Sequence, residues 1–379
     1  MECYFDNAAT TAVFPEVREL MVKVMGEDYG NPSSLHMKGV IAEKYIKEAA
    51  SKLARELKCQ EKELVFTSGG TESNNLAIIG TALAKRRQGK HIVCSGIEHA
   101  SVSATMEFLE KEGFEVTYIG VDEKGVFDLD ELKSALREDT ILVSTMFVNN
   151  EIGTIEPIEE ISKIIKDYND NIVYHVDAVQ AFGKIRFSPK KLGVDLLSIS
   201  GHKIHGPKGS GVLYIKDKLL VRPIIHGGGQ QKAMRSGTEN VPAIAGLGLA
   251  AELMYKDNET KMEHIKALKE RFLSGVTAFE NVFDNSGAAP HIASVSFVGV
   301  RSEVMLHSLE DKEIYVSAGS ACSSNKPHVS SVLKAIKLPQ ERLESTLRFS
   351  FCEDNTIEQI DYAIKTIGEL LPVLRRYTR

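Results

Sequence analysis

The residue types most able to do chemistry stand at the ends of apolar runs. In SGHKIHGPKG (200–209), Lys203 sits between two histidines in a turn closed by Gly206 and Gly209, straight after VDLLSIS. An amine held in such a turn becomes a nucleophile or base when burial or neighbours lower its pKa. An ordinary solvated loop lysine is the alternative. Ser200 and His202 stand beside it and could donate to an anion. NIVYHVDA ends at Asp177, and strand alternation sets Val173, His175 and Asp177 on one face. A carboxylate there needs a partner, because an unpaired buried charge is costly. A helix N-cap would serve, and so would a protonated ring nitrogen. Gln180, three residues on, reaches the same region.

Ser68-Gly69-Gly70-Thr71 follows ELVFT and opens a helical pattern. A glycine turn at a helix N-terminus offers free N–H groups and a positive dipole end, for which phosphate is the natural ligand. A plain turn with Thr71 as N-cap is the alternative. The chain lacks G-x-x-x-x-G-K-[ST], so a nucleotide P-loop is not supported. HGGGQQKAMRSGTEN (226–240) is a second glycine-rich loop, suited to an anion or a dimer contact. GSACSS (319–324) sets Cys322 among small residues after an apolar strand, with Asn325 and Pro327 as turn formers beyond it. An exposed cysteine stands out because free cysteines are normally buried, though an incidental surface thiol would look the same. TLRFSFC alternates, with Leu347, Phe349 and Phe351 on one face and Arg348, Ser350 and Cys352 on the other. Arg348 could fork onto a substrate carboxylate or close a salt bridge. Cys94 and Cys352 read as packing residues in strands.

These residues need a scaffold, and the pattern supplies one. Residues 38–58 carry Ile41, Tyr45, Ala49, Leu53 and Leu57 at four-residue steps, an amphipathic helix. ELVFT, HIVCS, EVTYIG, TILVSTMFV, NIVYHVDA and VDLLSIS read as strands with helical stretches between several of them. Many are apolar on both faces, which indicates a mostly parallel sheet covered on both sides. Ligands of such sheets bind beyond the carboxyl ends of the strands. After residue 256 the composition changes. A charged helix, KDNETKMEHIKALKERFLSG, leads to HIASVSFVG, the helix SEVMLHSLEDK, the strand IYVSA and a final helix from about 356 to 376. This part reads as a smaller α+β unit, and the extended N-terminus could pack with either part.

Composition narrows the classes. The chain has 379 residues, 43% hydrophobic and 26% charged, enough for two domains and a large core without staples. A net charge of −6 points to neither nucleic acid nor a membrane surface as the main partner. Five scattered cysteines with no C-x-x-C pair argue against disulfides and structural zinc, and for a reducing, cytoplasmic setting. MECYFDNAATT shows no signal-peptide pattern, and VPAIAGLGLAAELM is too short to span a bilayer.

Taken in order, the motifs resemble the cysteine desulfurases of the NifS/IscS group, within the class V pyridoxal-phosphate-dependent aminotransferases. The resemblance runs from YFDNAATT (4–11) through YGNPSSLH, FTSGGTESNN, EHASV, VNNEIGTI, HVDAVQ, SGHKIHGPKG, HGGGQ, RSGTEN and SAGSACSS to RFSF (348–351). It implies a fold type I transferase. The large domain (12–256) would hold a mostly parallel seven-stranded sheet flanked by helices. A smaller α+β domain (1–11 and 257–379) would carry the Cys322 loop and Arg348. It also implies conversion of L-cysteine to L-alanine, with the sulfur leaving as a persulfide on Cys322. Lys203 would carry pyridoxal 5'-phosphate as a Schiff base and act as base. His99 would stack on the ring and help with proton transfer, Asp177 would pair with its nitrogen, and Gln180 would bond its phenolic oxygen. Gly70, Thr71, Ser200 and His202 would grip the phosphate, with Thr238 reaching it from the second subunit of a homodimer. Asn150 would contact the cofactor and, with Arg348, hold the substrate carboxylate, with Asn7 and Ala8 nearby.

The sulfur acceptor would be an iron–sulfur scaffold protein or an enzyme of tRNA or cofactor thiolation. CSSNKPHVSSVL departs from the commoner wording after the cysteine, and the chain ends at Arg379 where housekeeping members carry a longer docking tail. Both leave the acceptor open. Selenocysteine lyase and cysteine sulfinate desulfinase activities would use the same residues. An ordinary aminotransferase would need no Cys322, and a non-catalytic sulfur-relay partner would need no Lys203, Asp177 and His99 together.

Overall fold

The computed structural model describes residues 1–318 and 330–377. Strand β1 (Cys3–Tyr4) opens the chain. The large sheet is then built from β2 (Leu64–Thr67), β3 (His91–Ser95), β4 (Glu115–Ile119), β5 (Thr140–Met146), β6 (Val173–Asp177), β7 (Leu196–Ser200) and β8 (Gly211–Ile215). Their order across the sheet is β2-β8-β7-β6-β5-β3-β4. All pairings are parallel except those of β8, which runs against both β2 and β7. The central strands are buried along their whole length, whereas the edge strand β4 exposes Glu115 and Tyr118. Runs that are apolar on both faces can only be accommodated between two helical layers.

The strand β8, GVLYI, is absent from the six runs read as strands in the sequence. It is joined to β7 by residues 201–210 alone. That connection is too short for a parallel crossover, so the chain must double back. The turn bearing Lys203 is therefore the hairpin connection between two buried strands.

The expected amphipathic helix forms as Met37–Leu57, with Ala42, Ala49, Leu53 and Leu57 buried and Ile41 and Tyr45 at its margin. It lies against Val241–Tyr255, a helix apolar almost all round and correspondingly buried. A Cβ on Gly248 would stand 2.5 Å from Ala49 Cα, so the two helices meet through that missing side chain.

Beyond the charged helix Asn258–Val276, a smaller antiparallel sheet forms in the order β12-β13-β10-β9 from β9 (Val282–Asp284), β10 (Ile292–Phe297), β12 (Ser317–Ala318) and β13 (Thr346–Ser350). The run IYVSA, expected as one strand, is two. β11 (Ile314–Tyr315) pairs with β1, and β12 pairs with β13. Cys352 lies in the turn after β13 rather than within it. Phe5, Phe272, Phe297, Phe349 and Phe351 form the core of this part, with Phe272 and Phe349 rings 4.4 Å apart. The N-terminal segment joins here through β1 and the Asp6–Ser350 bridge. Ala289 and Ile292 pack instead into the core of the large sheet, so the two cores touch. Among the described residues no helix is long and apolar enough to cross a membrane.

Gly248→Val is expected to destabilise the fold by about 1–3 kcal/mol through overpacking against Ala49, read as a lower urea midpoint. Gly26→Ala, where an added Cβ meets nothing within 4 Å, should change the midpoint little.

Candidate active site

One edge of the large sheet gathers the residues that the sequence singles out. Thr67, Gly211 and Ser200 lie on one rung across β2, β8 and β7, and Met146 pairs with Asp177 across β5 and β6. The carboxyl ends of β2, β5, β6 and β7 thus open on the same side. Gly69 (φ 152°) turns the chain from β2 into the helix Gly70–Lys85 in a backbone region that disfavours side chains. A Cβ on Gly211 would lie 2.6 Å from Gly69 Cα, and one on Gly70 would lie 2.9 Å from Val179 Cγ2 and 3.6 Å from Ser200 Cβ. Glycine here leaves a shallow cradle at the first N–H groups of the helix, which have no intrahelical acceptor. Gly69 is the N-cap and Thr71 lies inside the helix, so Thr71 is not the cap.

Lys203 reaches from the hairpin to the N-terminal segment. Its Nζ donates to the carbonyls of Ala8 (2.6 Å) and Ala9 (2.7 Å). Gln180 Nε2 donates to the same Ala8 carbonyl at 2.9 Å. Ala8 N in turn donates to Ser350 Oγ at 2.8 Å, while Asn7 Nδ2 donates to the carbonyls of Tyr4 and Ser350. Thr11 N donates to the His202 carbonyl, and His205 N donates to Thr11 Oγ1. The first eleven residues are thus laced across the sheet edge. Burial, aided by the Lys203 charge, lowers His202 to about 4, so its ring is neutral at physiological pH. His202 Nδ1 lies 3.2 Å from Thr10 Oγ1.

Asp177 is buried, and each of its oxygens has one donor. Val179 N donates to Oδ1 (2.9 Å) and Asn74 Nδ2 to Oδ2 (2.7 Å). Asp177 therefore does not cap an α-helix, since the chain beyond it continues as turns. Asn74 Nδ2 also donates to Ser101 Oγ (2.8 Å), which lies 2.9 Å from His99 Nδ1. His99 is the N-cap of Ala100–Lys111 and accepts from Ser101 N. A continuous chain of polar contacts thus runs from His99 through Ser101 and Asn74 to Asp177. Asn74 and Ser101 were not among the sequence candidates. Their signal was available, since Asn74 follows the glycine turn by one helical turn and Ser101 stands two residues after His99.

Arg348 enters from β13. It donates to the Asn150 carbonyl (2.8 Å) and to Asp6 Oδ1 (2.7 Å), while its buried Nε has no partner among the described residues. Asn150 thus meets Arg348 through its backbone. Next to it, burial pushes Glu151 up to about 7, with Ser330 Oγ donating to its carboxyl at 2.5 Å. Thr71 and Thr238 are exposed, and Thr238 makes none of the hydrogen bonds that join the others. Cys322 lies outside the described residues. An open groove of about 730 Å³ along residues 51–62 is lined by none of these residues.

An edge with a hydrogen-bonded amine, a buried carboxylate and a glycine-opened helix end can hold a cofactor that carries both a phosphate and a basic nitrogen. The chain belongs to the aminotransferase class-V family, whose family model matches residues 3–363. The cysteine desulfurase IscS of Methanosarcina thermophila is 45% identical over 375 residues, covering 98% of this chain and 92% of its own. A solved structure described as a NifS-like protein superposes with a TM-score of 0.94 at 39% identity, covering 99% of this chain and all of its own. Another, SspA in complex with cysteine, gives 0.82 at 34% identity over 93% of this chain.

Glu151 generates a pH prediction. Its folded pKa lies above that of an unfolded glutamate, so the folded chain binds the extra proton between about pH 4.5 and 7. Its contribution to stability is present below that window and is lost as pH rises through it. Glu151→Gln lacks this loss. Its stability relative to wild type should climb by about 3 kcal/mol from pH 4.5 to 7, measured by urea denaturation across that range.

Proposed function

We propose that this chain is a cysteine desulfurase that uses pyridoxal 5'-phosphate to convert L-cysteine to L-alanine and passes the sulfur on from Cys322. The relatives so named match almost the whole chain at 45% identity. The observation that carries the reading is the seat of Lys203 at the carboxyl edge of the sheet, on the same side as buried Asp177 and the Gly69–Gly70 turn.

These residues fit such a cofactor. The Asp177 carboxylate has one donor on each oxygen and retains acceptor capacity for a protonated ring nitrogen. The missing side chain of Gly70 leaves the cradle open beside Ser200. When bound, the cofactor supplies a conjugated ring that takes up the electron pair released at the substrate's α-carbon. Lys203 would hold it through its amine and afterwards take the α-proton. Asp177, fixed by Asn74, would keep the ring nitrogen protonated. His99 would lie against the ring and Gln180 beside its phenolic oxygen. Gly70, Thr71, Ser200 and neutral His202 would grip the phosphate, with Thr238 supplied by a second copy of the chain in a homodimer.

Arg348 and Asn150 would hold the carboxylate of L-cysteine near Asn7 and Ala8. Arg348 already pairs with Asp6, so substrate binding would exchange one carboxylate for another. Cys322, as thiolate, would attack the substrate sulfur. The S–S bond forms as the substrate's Cβ–S bond breaks, which leaves a persulfide and, after protonation, alanine. An acceptor protein of iron–sulfur assembly or tRNA thiolation would collect that sulfur in the cytoplasm.

Lys203→Ala should lower alanine formation by about 10²–10⁴-fold, the usual worth of a positioned general base. Cys322→Ala should keep the bound cofactor's absorbance but release no sulfide from L-cysteine. Undiminished sulfide release by Cys322→Ala, assayed beside wild type, would exclude the persulfide route.

A further inference from the structure

We infer that His205, Cys352 and Glu353 form a site for one thiophilic divalent cation of the zinc class. The three residues come from two segments, His205 from the Lys203 hairpin and Cys352 and Glu353 from the turn after β13. Each offers one ligand atom, and these atoms lie within 4.8 Å of one another. His205 Nε2 is already 3.4 Å from Glu353 Oε2. Ligands of a tetrahedral ion with bonds of about 2.0–2.3 Å stand roughly 3.3–3.8 Å apart, so small side-chain rotations would close the set.

Three observations point to an occupant. The first is the tautomer of His205. Its Nδ1 lies 2.8 Å from the Ala12 carbonyl, which can only accept, so Nδ1 carries the proton. That leaves Nε2 as the ring atom facing Glu353, and a backbone carbonyl on the other nitrogen is how metal-bound histidines are held. The ring is fixed by stacking on Phe14, 4.4 Å away, and His205 holds a left-handed backbone (φ 58°) that few residues adopt. The second is Glu353. Both of its carboxylate oxygens are shielded from solvent, and neither accepts a hydrogen bond among the described residues. His205 Nε2 at 3.4 Å and Lys261 Nζ at 3.8 Å are the nitrogens that face it. Such a carboxylate is costly unless something coordinates it. The third is space. A cavity of about 10 Å³ is lined by His205, Cys352 and Glu353 together with Lys184, Lys203 and His291. That is room for one water-sized particle and too little for a substrate.

Cys352 supplies the soft ligand. It is 8% exposed and held in place by Asn355, whose Oδ1 accepts from Cys352 N at 2.9 Å. Sulfur, imidazole and carboxylate together suit zinc better than magnesium or calcium. On binding, the metal–Sγ bond forms as the thiol proton leaves to solvent. Thiolate and carboxylate then balance the divalent charge. Lys184 does not occupy the space, because its amine donates to the Lys203 carbonyl at 2.6 Å. None of the three ligands is among the residues proposed to hold the cofactor or L-cysteine, so the site stands or falls apart from that reading.

The test uses Co²⁺ as the probe, added to chelator-dialysed full-length protein carrying Cys322→Ala. The expected result is one Co²⁺ per chain, a thiolate-to-cobalt charge-transfer band and tetrahedral visible bands. Cys352→Ser should abolish the charge-transfer band, and Glu353→Gln should weaken binding by at least about tenfold. No binding, or a charge-transfer band that survives Cys352→Ser, overturns the site. Should a variant fail to fold by circular dichroism, zinc X-ray absorption of the Cys322→Ala protein decides. One sulfur at about 2.3 Å with nitrogen and oxygen neighbours supports the site, and a shell without sulfur overturns it.

Discussion

A lysine amine cannot be kept inside a protein without acceptors, and the seat of Lys203 on the Ala8 and Ala9 carbonyls is the contact around which this site is arranged. It requires the N-terminal segment to cross the sheet edge. That segment is held there by β1, by Ser350 and by Thr11 against the hairpin. The smaller sheet and the large sheet are therefore coupled through the first eleven residues. Arg348 makes the same connection from the other side by joining β13 to Asp6 and Asn150.

The large sheet contributes rigidity where direction matters. Asp177 is the last residue of a strand buried on both faces, and its carboxylate is gripped by one backbone and one side-chain donor. The chain of contacts back to His99 ties two helix starts and a strand end into one polar network inside an apolar frame. Such a network is worth most when every member is paired. Among the described residues, Asn74 Oδ1 is the one buried side-chain atom of that network without a partner. It marks where a bound group or a small rotation would complete the set.

Much of this was legible because chemistry and periodicity coincided. Strand patterns ended at Asp177 and Ser200, and a glycine pair followed ELVFT, so the site edge could be read before its geometry was known. What escaped depended on long-range pairing. GVLYI was hidden behind the motif that precedes it, although its five residues close the hairpin that aims Lys203. Asn74 and Ser101 looked like ordinary helix polar residues because nothing local says that Asp177, 103 residues beyond Asn74, is the partner. Arg348 had two open fates, and the pairing with Asp6 is a matter of where the N-terminus folds. Cys352 read as packing, because His205 meets it only through the tertiary fold.

The central claim is that Lys203, and no other lysine, carries the cofactor. The direct measurement is borohydride reduction of the purified holoprotein followed by peptide mass spectrometry. The account predicts a phosphopyridoxyl group on the peptide containing Lys203 and on no other. The same group on Lys184 or another lysine, or its absence from protein that shows bound pyridoxal phosphate, would contradict it.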